Sequence, residues 1–329
     1  MSAYIPPPQS PVPSGLAEPE LAQPDGAGAL SAAEAAELGL APAVRSRSLL
    51  RRGWDVFAEN KLALVSLAVV LLIVLFCFVG PLIYRTDQLH TNLTDVLCQP
   101  SGAHLLGCDN VGYDVLGRLM IGGQTSIEVG VAAAIVAVLF GTLYGALSGF
   151  VGGFADSLLM RLVDAGLSIP YITVLIILSV IFHPNKPVMV FVIAAFYWLG
   201  VARLVRGETL TLRTREYVQA VKVVGGGNRR AIIRHIVPNA IGTIIVQATF
   251  AVADSIIILA GLGFLGLGVQ PPATDWGSML SGGLQYLQSS QSYWWLIYPA
   301  GIAIILTCVA INFIGDALRD AFETRLQRR

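Results

Sequence analysis

The chain has 329 residues, 55% of them hydrophobic and only 13% charged, and its 21 basic and 21 acidic side chains cancel. A soluble domain carries nearer a quarter charged residues, so an ordinary soluble globule is excluded. Zero net charge also argues against a nucleic-acid protein, whose phosphate contacts need a basic excess or a basic face.

Residues 1–44 hold eight of the 17 prolines, five acids and no Lys or Arg. With few large apolar side chains this segment cannot repay the entropy of ordering, and it is expected to be a disordered, Pro-rich cytoplasmic tail. A short helix around 32–40 fits its Ala, Glu and Leu content. It lacks the basic start and immediate apolar run of a secretory signal. Residues 45–60 follow as a basic lead-in on the cytoplasmic side, with Arg45, Arg47, Arg51 and Arg52.

From there, uncharged runs reach the ~20 residues that cross ~30 Å of hydrocarbon. Leu62 to Tyr84 and Val129 to Ala155 are the first two. A third runs from Ala165 to Ile181, through Pro170, after an amphipathic lead-in from Leu158. Val188 to Ala202 is a shorter fourth, Pro238 to Leu262 a fifth that contains Asp254, and Trp294 to Ile314 a sixth. The expected fold is an all-α integral membrane protein with six transmembrane helices over 61–325. Its expected loops are an outer loop over 85–126, a cytoplasmic loop over 203–237 and an outer loop over 266–292, and residues 326–329 form the C-terminus. With both ends inside, only Arg85, Arg118 and Lys186 of the basic residues fall outside. Cytoplasmic loops retain Lys and Arg, so the expected topology is N-in, C-in. Tyr293, Trp294 and Trp295 then lie at the outer edge of the last helix, where amphipathic rings prefer to sit, or pack in the core.

Cys98 and Cys108, ten apart in the first outer loop, are candidates for a disulfide on the oxidising side; Cys77 and Cys308 lie in the spans. In the same loop, Asp114 and Arg118 are spaced for a local ion pair, as are Arg161 and Asp164 before the third helix.

The cytoplasmic loop reads as two helical stretches, Thr209 to Val224 and Asn228 to Ile236, around Gly225, Gly226 and Gly227. Glycines permit the positive φ that ends one helix and starts another at an angle, which makes an elbow. Tyr217, Ala220 and Val224 share a stripe on its first limb, to be covered by lipid headgroups or by a partner's groove. Asp254 is expensive at its depth unless it faces a wet cavity or a hydrogen-bonding partner within the bundle. His235 has no ligand set at metal spacing, and no cofactor is expected. No Ser-His-Asp set, His-Glu-x-x-His helix or phosphate-cradling glycine loop is present, so neither catalysis nor ATP binding by this chain is expected.

The elbow resembles the cytoplasmic "EAA" loop of bacterial ABC importer permeases, which reads Glu-Ala-Ala, three residues, Gly, nine residues and an ending in Leu-Pro. Gln219, Ala220 and Val221 occupy the triplet, Gly225 the glycine, and Val237 and Pro238 the ending, while His235 replaces an apolar residue. HLLGCDNVGYDVLGRLMIGGQTS (104–126), GFLGLGVQPPATDWGSML (263–280) and WWLIYPAGIAIILTCVAINFIGDALRD (294–320) are similar to segments of the peptide and nickel permease family, "C" type. The resemblance covers roughly 45–325. It implies a type I importer permease fold in the bacterial cytoplasmic membrane and, as partners, a "B" type permease, two ATPase subunits, an extracytoplasmic solute-binding protein, membrane lipid and a peptide substrate. It implies ATPase coupling through Glu216, Tyr217, Gln219, Ala220, Val221, Gly225, Gly226 and Pro238. The Glu that many family members carry five positions after Asp254 is Leu259 here, so its role does not transfer and Asp254 alone is the translocation-path candidate. Nickel chelates, haem or another small solute of the family are the alternative cargo. An ion-coupled carrier is the alternative class, with one deep carboxylate and no evident repeat against it.

Overall fold

The computed structural model describes residues 57–182, 185–223, 225, 227–286 and 292–327. The expected tail over 1–44, most of the basic lead-in, and Val224 and Gly226 of the elbow lie outside the described residues. Among the described residues, five helices are long and apolar enough to cross a membrane, and a bent helix pair makes a sixth candidate.

Helix α1 (Lys61–Ile83) starts at Asn60, whose side chain accepts from the N–H groups of Leu62 and Ala63 at 3.0 and 3.3 Å. That satisfies two donors the first turn cannot pair internally. Helix α2 (Val115–Val151) spans 37 residues, about 55 Å at 1.5 Å per residue. It begins well before the expected Val129, because its early polar side chains find partners. Arg118 donates to the Pro272 carbonyl, Gln124 to the Cys77 carbonyl, and Glu128 accepts from Lys186 at 2.7 Å.

Helices α3 (Gly153–Ser168) and α4 (Tyr171–Phe182) replace the single third helix expected from Ala165 to Ile181, and they bend by 82° between them. Pro170 forces the residue before it out of the helical region, and Ile169 sits at φ −87°, ψ 133°. Helix α5 (Lys186–Leu212) outruns the expected Ala202 because its later charges are paired, as described below.

The tightest seam joins α2 and α5. Gly141, Gly145 and Gly149, four apart on α2, lie against the carbonyls of Trp198, Ala202 and Arg206, four apart on α5. A Cβ on Gly141 would stand 2.7 Å from the Trp198 oxygen, and one on Gly149 2.9 Å from the Arg206 oxygen. Such small-residue rows let two backbones approach where lipid supplies no hydrophobic drive for association.

The elbow follows as α6 (Glu216–Val223), α7 (Asn228–Ala231), a π turn over Ile232–Ile236 and α8 (Val237–Asn239). Pro238 follows the π turn, in the first turn of α8: proline lacks an N–H and its ring needs room at the carbonyl four residues back, which the wider π turn supplies. Helix α9 (Ile241–Phe264), the short α10 (Trp276–Leu284), a 3₁₀ turn at Trp294–Leu296 and α11 (Tyr298–Gln327) complete the bundle.

Candidate functional site

At one end of the bundle the first loop is locked. Cys98 and Cys108 form a disulfide, and the Cys108 carbonyl accepts from the Trp295 indole at 3.2 Å. Asp114 does not pair with Arg118. Its carboxylate caps α2 at the Gly117 N–H (2.8 Å), accepts the Tyr84 hydroxyl (2.8 Å) and meets His104 Nδ1 at 3.0 Å. An N-cap carboxylate points back over its own first turn, away from position i+4. Arg118 instead lies 4.1 Å over the Tyr113 ring, 3.9 Å from Asp109, and reaches the Pro272 carbonyl at 2.8 Å. It thus ties the first loop to the loop before α10. Burial raises the Asp109 carboxyl above its ordinary range, against the pull of the Val111 and Tyr113 N–H groups and of Arg118. The buried Asp275 caps α10 through the Ser278 N–H and hydroxyl at 3.0 and 2.6 Å, and burial raises it as well.

At the far end of α2 and α5 the elbow is held from one side. Val218, Ala231, Ile232 and Ile236 are buried in a core with Phe150 of α2, Val205 of α5 and Ile244 of α9, and Val221 packs against it. The stripe expected on the other side is bare: Tyr217 is 41% exposed, Ala220 is exposed, and neighbouring Val223 is 88% exposed. Glu216, Gln219 and Pro238 are exposed too, with the Gln219 amide donating to the Arg213 carbonyl at 2.8 Å. Gly225 has φ +78° and open space around it, a backbone state that a side chain rarely adopts. Arg229, Arg230 and Arg234 add exposed positive charge on the second limb.

The elbow's base is braced by charges whose partners lie far away in sequence. Asp156 of α3 takes a two-pronged ion pair from Arg206 of α5 at 2.6 and 2.7 Å, plus the Ser148 hydroxyl at 2.6 Å. Arg213 donates to the Gly149 carbonyl at 2.9 Å. Asp164 pairs with Arg203 across to α5, in place of the expected Arg161 on its own helix, because α5 runs directly alongside. Asp156 and Arg206 are not among the site residues expected from sequence. Their only local signal is an acid just after a glycine break and an arginine just past an apolar run.

Asp254 of α9 sits between these ends. It is exposed on the helix surface, and its Oδ2 accepts the Tyr197 hydroxyl of α5 at 2.9 Å. The Gln247 amide approaches the same hydroxyl at 3.5 Å. The structure therefore brings together the α5 and α9 residues of the middle, and separately the residues of the elbow, but does not join the two groups.

Comparison with known proteins defines the class first. The chain belongs to the family described as binding-protein-dependent transport system inner membrane components, whose model matches residues 141–328. It is a multi-pass inner-membrane permease. Residues 48–100 match the N-terminal TM domain of oligopeptide transport permease C, which sets it in the C branch. It is 42% identical over 284 residues to the oligopeptide transport system permease protein OppC of Salmonella typhimurium, covering 86% of this chain and 93% of that one. It is 36% identical to OppC of Bacillus subtilis (86% and 92% covered) and 36% identical to the dipeptide transport system permease protein DppC of the same species (86% and 88% covered).

Proposed function

We propose that this chain is one half of the membrane pathway of an ATP-driven importer that carries di- to oligopeptides into the cell. The reading places both termini and the elbow inside, and the disulfide loop outside, with six spans counting the bent α3–α4 pair as one. Its partners are a B-type permease, two ATPase subunits that hydrolyse the ATP, and an extracytoplasmic binding protein that delivers the cargo.

The observation that carries the mechanism is the elbow's two-sidedness. One face, through Val218 and Val221, is anchored in a core shared with α2, α5 and α9; the other, with Tyr217 and Ala220, is uncovered. A helix so built passes force from whatever grips its bare face into the helices that anchor it. Glu216, Gln219, Gly225, Gly226 and Pro238 belong to that coupling surface in this reading, and Asp254 to the translocation path. Oligopeptide and dipeptide permeases among the relatives favour peptides over the chelates and haem considered from sequence.

The test is uptake of labelled Ala-Ala-Ala by cells that carry the partner genes, with and without this chain. ATP-dependent uptake only when the chain is present is the expected result. Uptake driven by an ion gradient, with this chain expressed alone, would overturn the reading.

A further inference from the structure

Along α9, Gln247, Asp254 and Gly261 recur every seven residues, so they lie on one face with only about 20° of drift per step. It carries the one charge of the helix, beside exposed apolar residues such as Ile257 and Phe264. Asp254 is exposed, and a Cβ on Gly261 would meet nothing within 4 Å. The buried side of α9 is filled largely by apolar side chains, among them Ile244, Ala251, Leu259 and Leu262, and carries no charge; Ser255 is its buried hydroxyl. A row of amide, carboxylate and bare backbone is costly against hydrocarbon, so it faces water or another polar group.

The carboxylate is also positioned. Its only hydrogen-bond partner among the described residues is the Tyr197 hydroxyl, a neutral donor that Gln247 approaches in turn. No cation lies within ion-pair distance of it among those residues. By contrast, Asp156, Asp164 and Glu128 each have an Arg or Lys. Tyr197 occupies a lone pair of Oδ2 and restrains the group, while Oδ1 has no hydrogen-bond partner among the described residues. That is the arrangement of an acceptor kept ready for a cation that is not part of this chain.

The geometry points to Asp254, held by Tyr197, as the station in the path that receives an ammonium group of the cargo. This rests on the importer reading above. Every peptide with a free amino terminus carries such a group, and lysine side chains carry another. Three donors on a compact cation suit a single oriented carboxylate.

The test uses the complete importer with its binding protein, and three peptides: Ala-Ala-Ala, Ala-Lys-Ala and Ala-Glu-Ala, each supplied at saturation of the binding protein. Asp254→Asn is expected to lower uptake about tenfold, the scale of one lost charge-assisted contact. Asp254→Glu should restore it to within about threefold, and Tyr197→Phe should lower it about threefold, on the same basis. An equal fall for all three peptides assigns the amino terminus as the recognised group; a fall confined to Ala-Lys-Ala assigns the side chain. Unchanged uptake by Asp254→Asn, or a loss that Asp254→Glu fails to restore, would overturn the ammonium site and leave the importer intact. Absence of peptide uptake by the unaltered complex would remove the importer reading and this one together.

Discussion

The two ends of the bundle solve different problems. At the disulfide end, one covalent bond, an indole, two capping carboxylates and Arg118 cross-tie loops that come from three parts of the chain. At the elbow end no covalent tie exists among the described residues. Two short helical limbs meet at Gly225 and rest on a hydrophobic core and on ion pairs between α3 and α5. The first construction resists motion in all directions. The second joins two helical limbs at one glycine and anchors them on one side only. In the importer reading proposed above, the cross-tied end is the one that receives cargo and the glycine-jointed end is the one that takes force from the ATPases.

The most damaging way to break this contrast is to pry apart the seam that joins the two ends. A Cβ on Gly145 would stand well inside van der Waals contact of the Ala202 carbonyl, so Gly145→Leu should cost about 3 kcal/mol or more. Yield of monodisperse protein and its thermal midpoint measure it; a normal midpoint would show that the seam is softer than described. Next comes the elbow's brace. Arg206→Met strands the Asp156 carboxylate, which is only 7% exposed, and should cost about 3 kcal/mol. Adding Asp156→Asn should recover much of the loss, because the penalty comes from an unpaired charge. Equal loss in the single and double variants would assign the role to packing.

The disulfide end predicts a smaller and more local effect. Replacing both Cys98 and Cys108 by Ser opens a tie across ten residues, which chain entropy values at about 2.5 kcal/mol. Hydrogen exchange should speed up across 95–113 and stay unchanged in the elbow. At the elbow, Gly225→Leu forces a side chain into φ +78°, a strain of about 1 kcal/mol, with no neighbour to clash against. Assembly should therefore survive while peptide uptake falls about tenfold or more, a coupling loss of at least 1.4 kcal/mol. Normal uptake would show that the elbow's angle does not matter.

Much of this contrast was legible in the residues. Apolar runs long enough to span, the Gly225 break and the cysteine pair are local signals, carried by composition and short spacing. Less visible was whatever depends on which partner the fold brings nearest. Arg118 and Glu128 made the start of α2 look like loop, because a charge reads as an end of a span until its partner at Pro272 or Lys186 is known. Spacing of four suggested that Asp114 would bind Arg118, yet the N-cap role took the carboxylate first. Arg161 lost Asp164 to Arg203 for a similar reason: the neighbouring helix offered a nearer cation. The glycine row at 141, 145 and 149 was visible as letters, but its meaning required the matching carbonyls of α5.

The smallest expected effect sharpens the contrast inside the disulfide end itself. Asp87 and Asp109 lie in the same loop, yet their carboxyls move in opposite directions. Asp109 is raised by its partial burial; Asp87, which is exposed, is lowered to about 2, first by the Leu89 and His90 N–H groups and then by the His90 ring. The unfolded carboxyl titrates near its ordinary 3.8, so the Asp87 turn is stabilised fully above that pH and loses its support as the pH falls towards 2. The protection of the Leu89 and His90 amides, taken relative to the unstructured exchange rate at each pH, should therefore fall over that window, and Asp87→Asn should remove that pH dependence of the protection. Because the group is bathed in water, the disulfide-tied segment from Cys98 to Cys108 should show no change over the same range.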